Sequence, residues 1–306
     1  MATAKSPPPL DIVYADSKAD PVTGINEFRR LTDTENVFGV YVMRGAVGMP
    51  LNPLSQSSGV PLLGGAGNKD FSTVNKYAFQ VWSRSDEEGT FLAQIFKDRG
   101  YDSVALLTVQ DDWQSSVSDG FRAAIDKLGL KIVSDQEVIP SDSDFRSLLL
   151  KIKSSSPKAI FANLAVNQIA PFLRQARDLG ISTKMYCNLW IAKKDVIESA
   201  GMDVLEGVRF VEMDTNVPSL RKFVLDKYSA TPSGATVSAY AATLLLLQTL
   251  SSNSSISTRE DLYAELLKQT EISTPDGAIP IVDRRVRFPL KEKILKNGKV
   301  ELVDDK

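Results

Sequence analysis

A chain of 306 residues, 43% hydrophobic and 24% charged, can bury a sizeable core and suits two domains of ordinary size. Lysine plus arginine number 36 against 38 acids, so a net charge of −2 gives no electrostatic case for nucleic acid or an anionic membrane surface. The absence of histidine removes Ser/His/Asp and Cys/His catalysis and most zinc sites, and the one cysteine, Cys187, cannot form an internal disulfide.

The start, Met1 to Pro9 with its Pro7-Pro-Pro9 run, lacks the apolar core of a signal peptide. No segment approaches the roughly 18 apolar residues of a membrane span. The chain is then cytosolic, or a mature or truncated form of an exported protein. From Asp11 onward, short apolar runs predict strands at Asp11–Ala15, Val37–Val42, Ser103–Thr108, Lys158–Ala162 and Gly207–Val211. Helical spacing recurs between them over Thr90–Arg99, Ser118–Leu128, Asp144–Ile152 and Gln168–Leu179. Apolar runs without alternation fit parallel strands covered on both faces. Gly100, Gly129 and Gly180 stand where helix ends need a left-handed residue, and Asp86 is a fitting N-cap. About ten such strand–helix segments exceed the usual five or six strands of one sheet. A break near Trp82–Asp86 divides them into two sets.

Other constellations are read structurally. Asp111, Asp112, Asp142 and Asp144 are turn and N-cap residues, and Arg284, Arg285 and Arg287 flank a solvated strand edge. Leu244–Leu247 is helix core, Ser251–Ser257 a surface connection, and Cys187 a small buried hydrophobe.

The order of motifs resembles the type I periplasmic binding proteins, in particular the branched-chain amino acid group of ABC transporter substrate-binding components. Asp11–Pro21 is similar to that group's second strand and turn, and Gly59–Leu63 to the short strand that follows its next helix. Tyr101–Leu107 with Gly120–Gly129 resembles the first unit of its second lobe, and Ser143–Lys153 its aspartate-phenylalanine helix start. Phe172–Gly180, Ala200–Gly207, Phe223–Tyr228 and Tyr240–Leu245 continue the likeness, which covers residues 11 to 302. One departure is large: the family opens with a strand, a loop and a long helix, and here only ten residues precede Asp11. The Asp11–Ala15 and Val37–Val42 strands must then pair directly, or another chain must fill the gap.

The resemblance implies an α/β fold of two Rossmann-like lobes with parallel sheets, joined by a three-strand hinge. The lobes would be residues 1–84 with 215–283, and 85–214 with 284–306, crossing near Ser83–Ser85, Met213–Thr215 and Asp283–Val286. It implies a non-enzymatic binding protein without cofactor, periplasmic or extracellular, a monomer or weak dimer with no nucleic-acid partner and no direct membrane insertion. Its partners would be a small-molecule ligand, held in an interlobe cleft, and an ABC transporter permease. A ligand-sensing module and a degenerate protein that has lost its ligand remain as alternatives.

Ligands of parallel sheets sit at the carboxyl ends of the strands. Gly45 aligns with a loop serine that, with backbone amides, holds a ligand carboxylate in the family. Gly45 and Ala46 keep the backbone donors, and Arg44 adds a charge. Ala66 and Asn68, in the glycine-rich Gly64–Asn68 loop, align with positions that hold an amino acid through a carbonyl and a hydroxyl. Trp113 aligns near an aromatic ligand wall, and Asn188 and Trp190 lie in the loop where amino-acid binders place an acid for the ammonium. Leu189 stands at about the acid's position, and Ala165 at about that of the usual tyrosine. An ammonium buried without a counter-charge costs several kcal/mol. The expected ligand is therefore an organic or aromatic acid, with a branched-chain amino acid second.

Overall fold

The computed structural model describes residues 10–303, so Pro7–Pro9 lie outside it. The chain divides into two compact units and passes between them three times. The first unit comprises Met1–Arg84 and Met213–Pro289, the second Ser85–Glu212 and Leu290–Lys306.

In the first unit, α1 (Pro21–Arg29) runs into a π-helical turn at Arg30–Thr34, followed by β1 (Val40–Met43), α2 (Gly45–Ser58), β2 (Leu62–Gly65) and β3 (Ala78–Gln80). The second unit then builds α3 (Ser85–Asp98), β4 (Ser103–Val109), α4 (Asp112–Lys127), β5 (Lys131–Val138), α5 (Arg146–Ser154), β6 (Ala159–Asn163) and α6 (Val166–Asp178). It continues with β7 (Lys184–Cys187), a 3-10 turn at Leu189–Ala192, α7 (Lys194–Ala200), α8 (Met202–Leu205) and β8 (Arg209–Met213). The chain returns with α9 (Pro218–Tyr228), α10 (Gly234–Ser252), α11 (Arg259–Leu266), β9 (Glu271–Thr274), β10 (Gly277–Val282) and β11 (Arg285–Val286). It ends in the second unit with β12 (Leu290–Lys296) and β13 (Lys299–Leu302).

The first sheet has the order β1-β2-β3-β11-β10-β9. β1, β2, β3 and β11 are parallel, and β10 runs antiparallel to both β11 and β9. The second sheet has the order β13-β12-β8-β7-β6-β4-β5, parallel from β5 to β8 and closed by the antiparallel β12–β13 hairpin.

Burial explains the unbroken apolar runs. Along β4, Val104 and Leu106 enter one core with Phe96, Phe121 and Phe161, while Ala105, Leu107 and Val109 enter another with Phe145, Phe172 and Phe210. Helices cover both faces of β4, so every position from Val104 to Val109 is buried. In the first unit Val40, Val42, Leu62 and Ala78 pack with Phe28, Val47, Leu51 and Phe71.

Three sequence expectations need correction. Asp11–Ala15 is not a strand: Ile12 and Tyr14 are exposed, and β1 ends the first sheet with β2 as its neighbour. An apolar run without a ladder partner has nothing to satisfy its backbone, whatever its residue preference. The arginines near 284 do not flank a solvated edge, because β11 is an interior strand between β3 and β10. Arg284 turns its guanidinium onto the Asn75, Lys76 and Ala78 carbonyls. Asp86 does not cap α3, which begins at Ser85 and places Asp86, Glu87 and Glu88 in its first turn. The three helix-ending glycines do adopt positive φ, +70° at Gly100 and Gly129 and +64° at Gly180.

Cys187 is buried, and burial raises its thiol pKa well above the ordinary 9.0. Its neighbour Tyr186 is raised from 10.0, first by burial and then by the Glu292 carboxylate. The unfolded chain releases these protons near their ordinary values, whereas the folded chain keeps them. Their contribution to stability is therefore intact below about pH 9 and is lost as pH rises toward the folded pKa values. Unfolding free energy should hold steady up to about pH 9 and fall beyond it. Cys187 should react with a thiol reagent only as fast as the protein opens, and rapid labelling in native buffer would contradict this.

Candidate functional site

Each unit gathers polar groups at the carboxyl ends of its parallel strands. In the first unit β1 ends at Met43, and Arg44 turns the chain into α2 with φ +79° and ψ 133°. A non-glycine residue held there costs about 1–3 kcal/mol, a strain characteristic of functional turns. No side chain caps α2, so its first amides, at Gly45, Ala46 and Val47, have no intrahelical partner and stand at the positive end of a 14-residue helix. The Arg44 side chain and Ala46 are exposed.

Beside this turn runs the loop after β2. The Arg44 amide donates to the Gly65 carbonyl at 3.1 Å, tying the two segments together. A methyl group at Gly45 would lie 1.7 Å from Asn68 Oδ1, so the asparagine rests directly on the helix start. The two glycines that end β2 serve a purpose that sequence did not suggest. At Gly64 a Cβ would meet Phe71 Cζ at 2.1 Å, and at Gly65 it would meet Met43 Sδ at 2.4 Å. They make room for the Phe71 and Met43 side chains. Ala66 is buried, and Asn68 is partly exposed.

The second unit presents two tryptophans. Trp113 lies in the first turn of α4, where Asp111 caps the helix by accepting from the Trp113 amide. Trp190 lies in the turn after β7, and the rings are 5.7 Å apart at 59°. Lys193 Nζ stands 4.8 Å from the centre of the Trp190 ring. Asn188 is buried, with every polar atom of its side chain engaged: Nδ2 donates to Asn163 Oδ1 and the Leu164 carbonyl, and Oδ1 accepts from the Trp190 amide.

That asparagine ends a buried chain of hydrogen bonds. Asn163 Nδ2 donates to the Gln114 carbonyl at 2.7 Å and to Ser118 Oγ at 2.9 Å, and Ser118 Oγ pairs with Thr108 Oγ1. Thr108, Asn163 and Asn188 sit at the carboxyl ends of β4, β6 and β7, and together they fix α4 and the Trp190 turn. Sequence reading missed Thr108, Ser118 and Asn163. Their signal was faint: a polar residue closing each apolar strand.

A separate hollow of about 420 Å³ in the first unit is lined by Asn36, Phe38, Gly59, Thr258 and Arg259. It opens at the amino ends of β1 and β2, and Arg259 there is spent on the Thr32 and Val37 carbonyls. It holds none of the predicted site residues. Among the described residues no group of three or more Cys, Asp or Glu is placed to hold a metal, and no helix is long and apolar enough to cross a membrane.

Comparison with known proteins agrees with this architecture. The family model described as periplasmic binding protein matches residues 8–288. An amino acid binding protein of Pseudomonas aeruginosa is 22% identical over 247 residues, 76% of this chain and 65% of that protein. The chain thus spans a little under two thirds of the length of that curated relative, and about half that of a Leu/Ile/Val-binding protein homolog of Brucella abortus, which is also 22% identical, over 63% of this chain. Among solved structures, a leucine binding protein from Thermotoga maritima superposes with a TM-score of 0.83 at 23% identity, covering 96% of this chain and 87% of that one. A solute binding protein of an ABC transporter from Rhodopseudomonas palustris, in complex with 3,4-dihydroxybenzoic acid, superposes at 0.80 with 19% identity, covering 95% and 84%.

Proposed function

The chain belongs to the periplasmic binding protein family, and from that membership we propose that it captures a small carboxylate-bearing solute for uptake by an ABC transporter. Its place of work is then the periplasm or the extracellular face, and its protein partner a permease. The observation that carries this reading is the bare start of α2 behind the strained Arg44, where three amides, a helix dipole and a guanidinium favour an anion.

In this proposal Arg44, Gly45 and Ala46 hold the carboxylate, with Asn68 and the Ala66 loop beside it. In the second unit Trp113 and Trp190 offer an aromatic surface of the kind that packs on an apolar or aromatic body, and Asn188 acts by fixing Trp190. Leu189 supplies no charge for an ammonium, and Lys193 on Trp190 adds a second cation. An organic or aromatic acid suits these groups best, and a branched-chain amino acid follows. Ligands of both kinds occur among the solved neighbours, one of which is in complex with isoleucine.

Calorimetry with 3,4-dihydroxybenzoate, benzoate and leucine tests this. We expect binding of the aromatic acids in the micromolar range, weakened about 10- to 100-fold by Trp190→Ala, roughly 1.4–2.8 kcal/mol. Tight leucine binding with no response to the aromatic acids would sink the preference, and no binding of any carboxylate would sink the function.

A further inference from the structure

The sheet of the second unit ends on β13, and no further strand lies beyond it among the described residues. All four residues of β13 are exposed, the apolar Val300 by 40% and Leu302 by 48%. The strand pairs with β12 from Lys299 opposite Lys296 to Leu302 opposite Lys293, around the tight turn Asn297-Gly298, where φ is +48° and +72°. The Val303 amide donates to the Glu292 carbonyl at 3.0 Å, which sets the alternation of the ladder. Lys299 and Glu301 turn their backbone groups toward β12, so Val300 and Leu302 turn theirs toward the open edge.

An open edge is ordinarily blunted against pairing with another chain. The opposite edge of the same sheet shows how. Along β5 the register skips Val133, a bulge, and Arg122 of α4 holds Asp135 in two hydrogen bonds at 2.8 and 2.9 Å. β13 has no such device: its four pairs run without a bulge, and it contains no proline. Its two charges, Lys299 and Glu301, share one face and are opposite in sign. A lone lysine would repel a second copy, whereas this pair matches one. With a two-fold axis through Val300, that residue meets its own copy in antiparallel register and exchanges both outward hydrogen bonds with it. Lys299 of each strand then stands opposite Glu301 of the other, at the closer, non-hydrogen-bonded positions where cross-strand charges interact most. An axis one residue on, through Glu301, would oppose two carboxylates.

We propose that β13 is a self-complementary edge at which two copies of this chain join, continuing the sheet of the second unit across a two-fold axis. The contact is below the roughly 1,200 Å² of a standard interface, so the dimer is weak, with a dissociation constant on the order of 0.1–1 mM. The inference does not depend on which solute the protein binds.

Sedimentation equilibrium of the full chain, carried up to about 1 mM, should show a reversible monomer–dimer equilibrium. Lys299→Glu and Glu301→Lys change exposed side chains, and each sets like charges opposite twice over, so each should weaken association at least about tenfold. An equimolar mixture of the two variants should associate about as tightly as wild type, because the glutamates of one then face the lysines of the other. Val300→Cys gives a second reading and serves if a charge variant fails to fold. Cys187, the one native cysteine, is buried, and the pairing brings the two Cα atoms at position 300 to about 5.5 Å, within disulfide reach. Mild oxidation should link this variant into dimers at least about tenfold faster than Val133→Cys on the blunted edge. A wild type that stays monomeric at about 1 mM overturns the proposal. So does dimerisation untouched by either charge reversal, a mixture that fails to recover it, or equal linking at positions 300 and 133.

Discussion

Gly120→Ala is expected to destabilise the second unit by about 2–3 kcal/mol and to weaken solute binding with it. Helices α3 and α4 meet backbone to backbone. A Cβ on Gly89 would lie 1.9 Å from the Val117 carbonyl oxygen, and one on Gly120 would lie 2.1 Å from that of Asp86. These are main-chain atoms, so no rotamer change relieves the clash and one whole helix must move. Alanine is the better helix former by about 1 kcal/mol, which opposes the loss but does not cancel it, since overpacking of this kind costs about 1–3 kcal/mol and more where backbone is struck. Urea unfolding measures the first effect. Calorimetry measures the second, because α4 carries Trp113 in its first turn. Gly129→Ala is the contrast: it meets nothing within 4 Å, and its φ of +70° alone costs about 1 kcal/mol. Once the helices are apart, a second alanine at Gly89 should add less than it costs alone. Stability of Gly120→Ala within about 0.5 kcal/mol of wild type would disprove the close contact.

The second unit was the more legible half in sequence, and the reason is burial. Ser103–Thr108 and Lys158–Ala162 lie under helices on both faces, so each kept its apolar run within two residues of the observed strand. Asp11–Ala15 carries an equally apolar run and forms no strand, because residue preference acts only where a neighbouring strand offers its amides. The start of α2 was hidden for the opposite reason. Pro50 and Pro53 lie inside the helix, and the positive φ of Arg44 breaks the rule by which loops are recognised from glycine. Arg44, Gly45, Ala46 and Asn68 do gather at one turn, and the Trp113 and Trp190 rings meet from α4 and the turn after β7. What sequence could not show is which polar atoms remain free. Asn188 reads as a ligand residue and is consumed by Asn163, Leu164 and Trp190, while Gln80, silent in sequence, holds the loop that carries Ala66 and Asn68.

Glu292→Ala is expected to cost about 3 kcal/mol, the largest loss from any single side chain on the closing hairpin of the second unit. After its third passage between units the described chain forms the β12–β13 hairpin. β12 lies beside β8 in the sheet, and Glu292 on it is buried within reach of Arg99, just past the end of α3. Its Oε1 accepts from Arg209 Nη1 and from the Tyr186 hydroxyl, both at 2.9 Å, and Oε2 pairs with Arg99 Nη2. One carboxylate thus joins β7, β8, β12 and the residue that follows α3. Its removal strands two guanidiniums and a buried hydroxyl, and breaking a buried ion pair costs about 3–5 kcal/mol. The arginine side chains are 31% and 22% exposed, which lets water recover part of that and sets the estimate at the lower end. Glu292→Gln keeps the shape and an acceptor for Tyr186 but loses the charge, so it should cost about half as much. Denaturant unfolding of the pair separates charge from shape. Equal losses in both variants would show that charge carries the contact, and a loss under about 0.5 kcal/mol in Glu292→Ala would show that the strand ladder alone holds the hairpin.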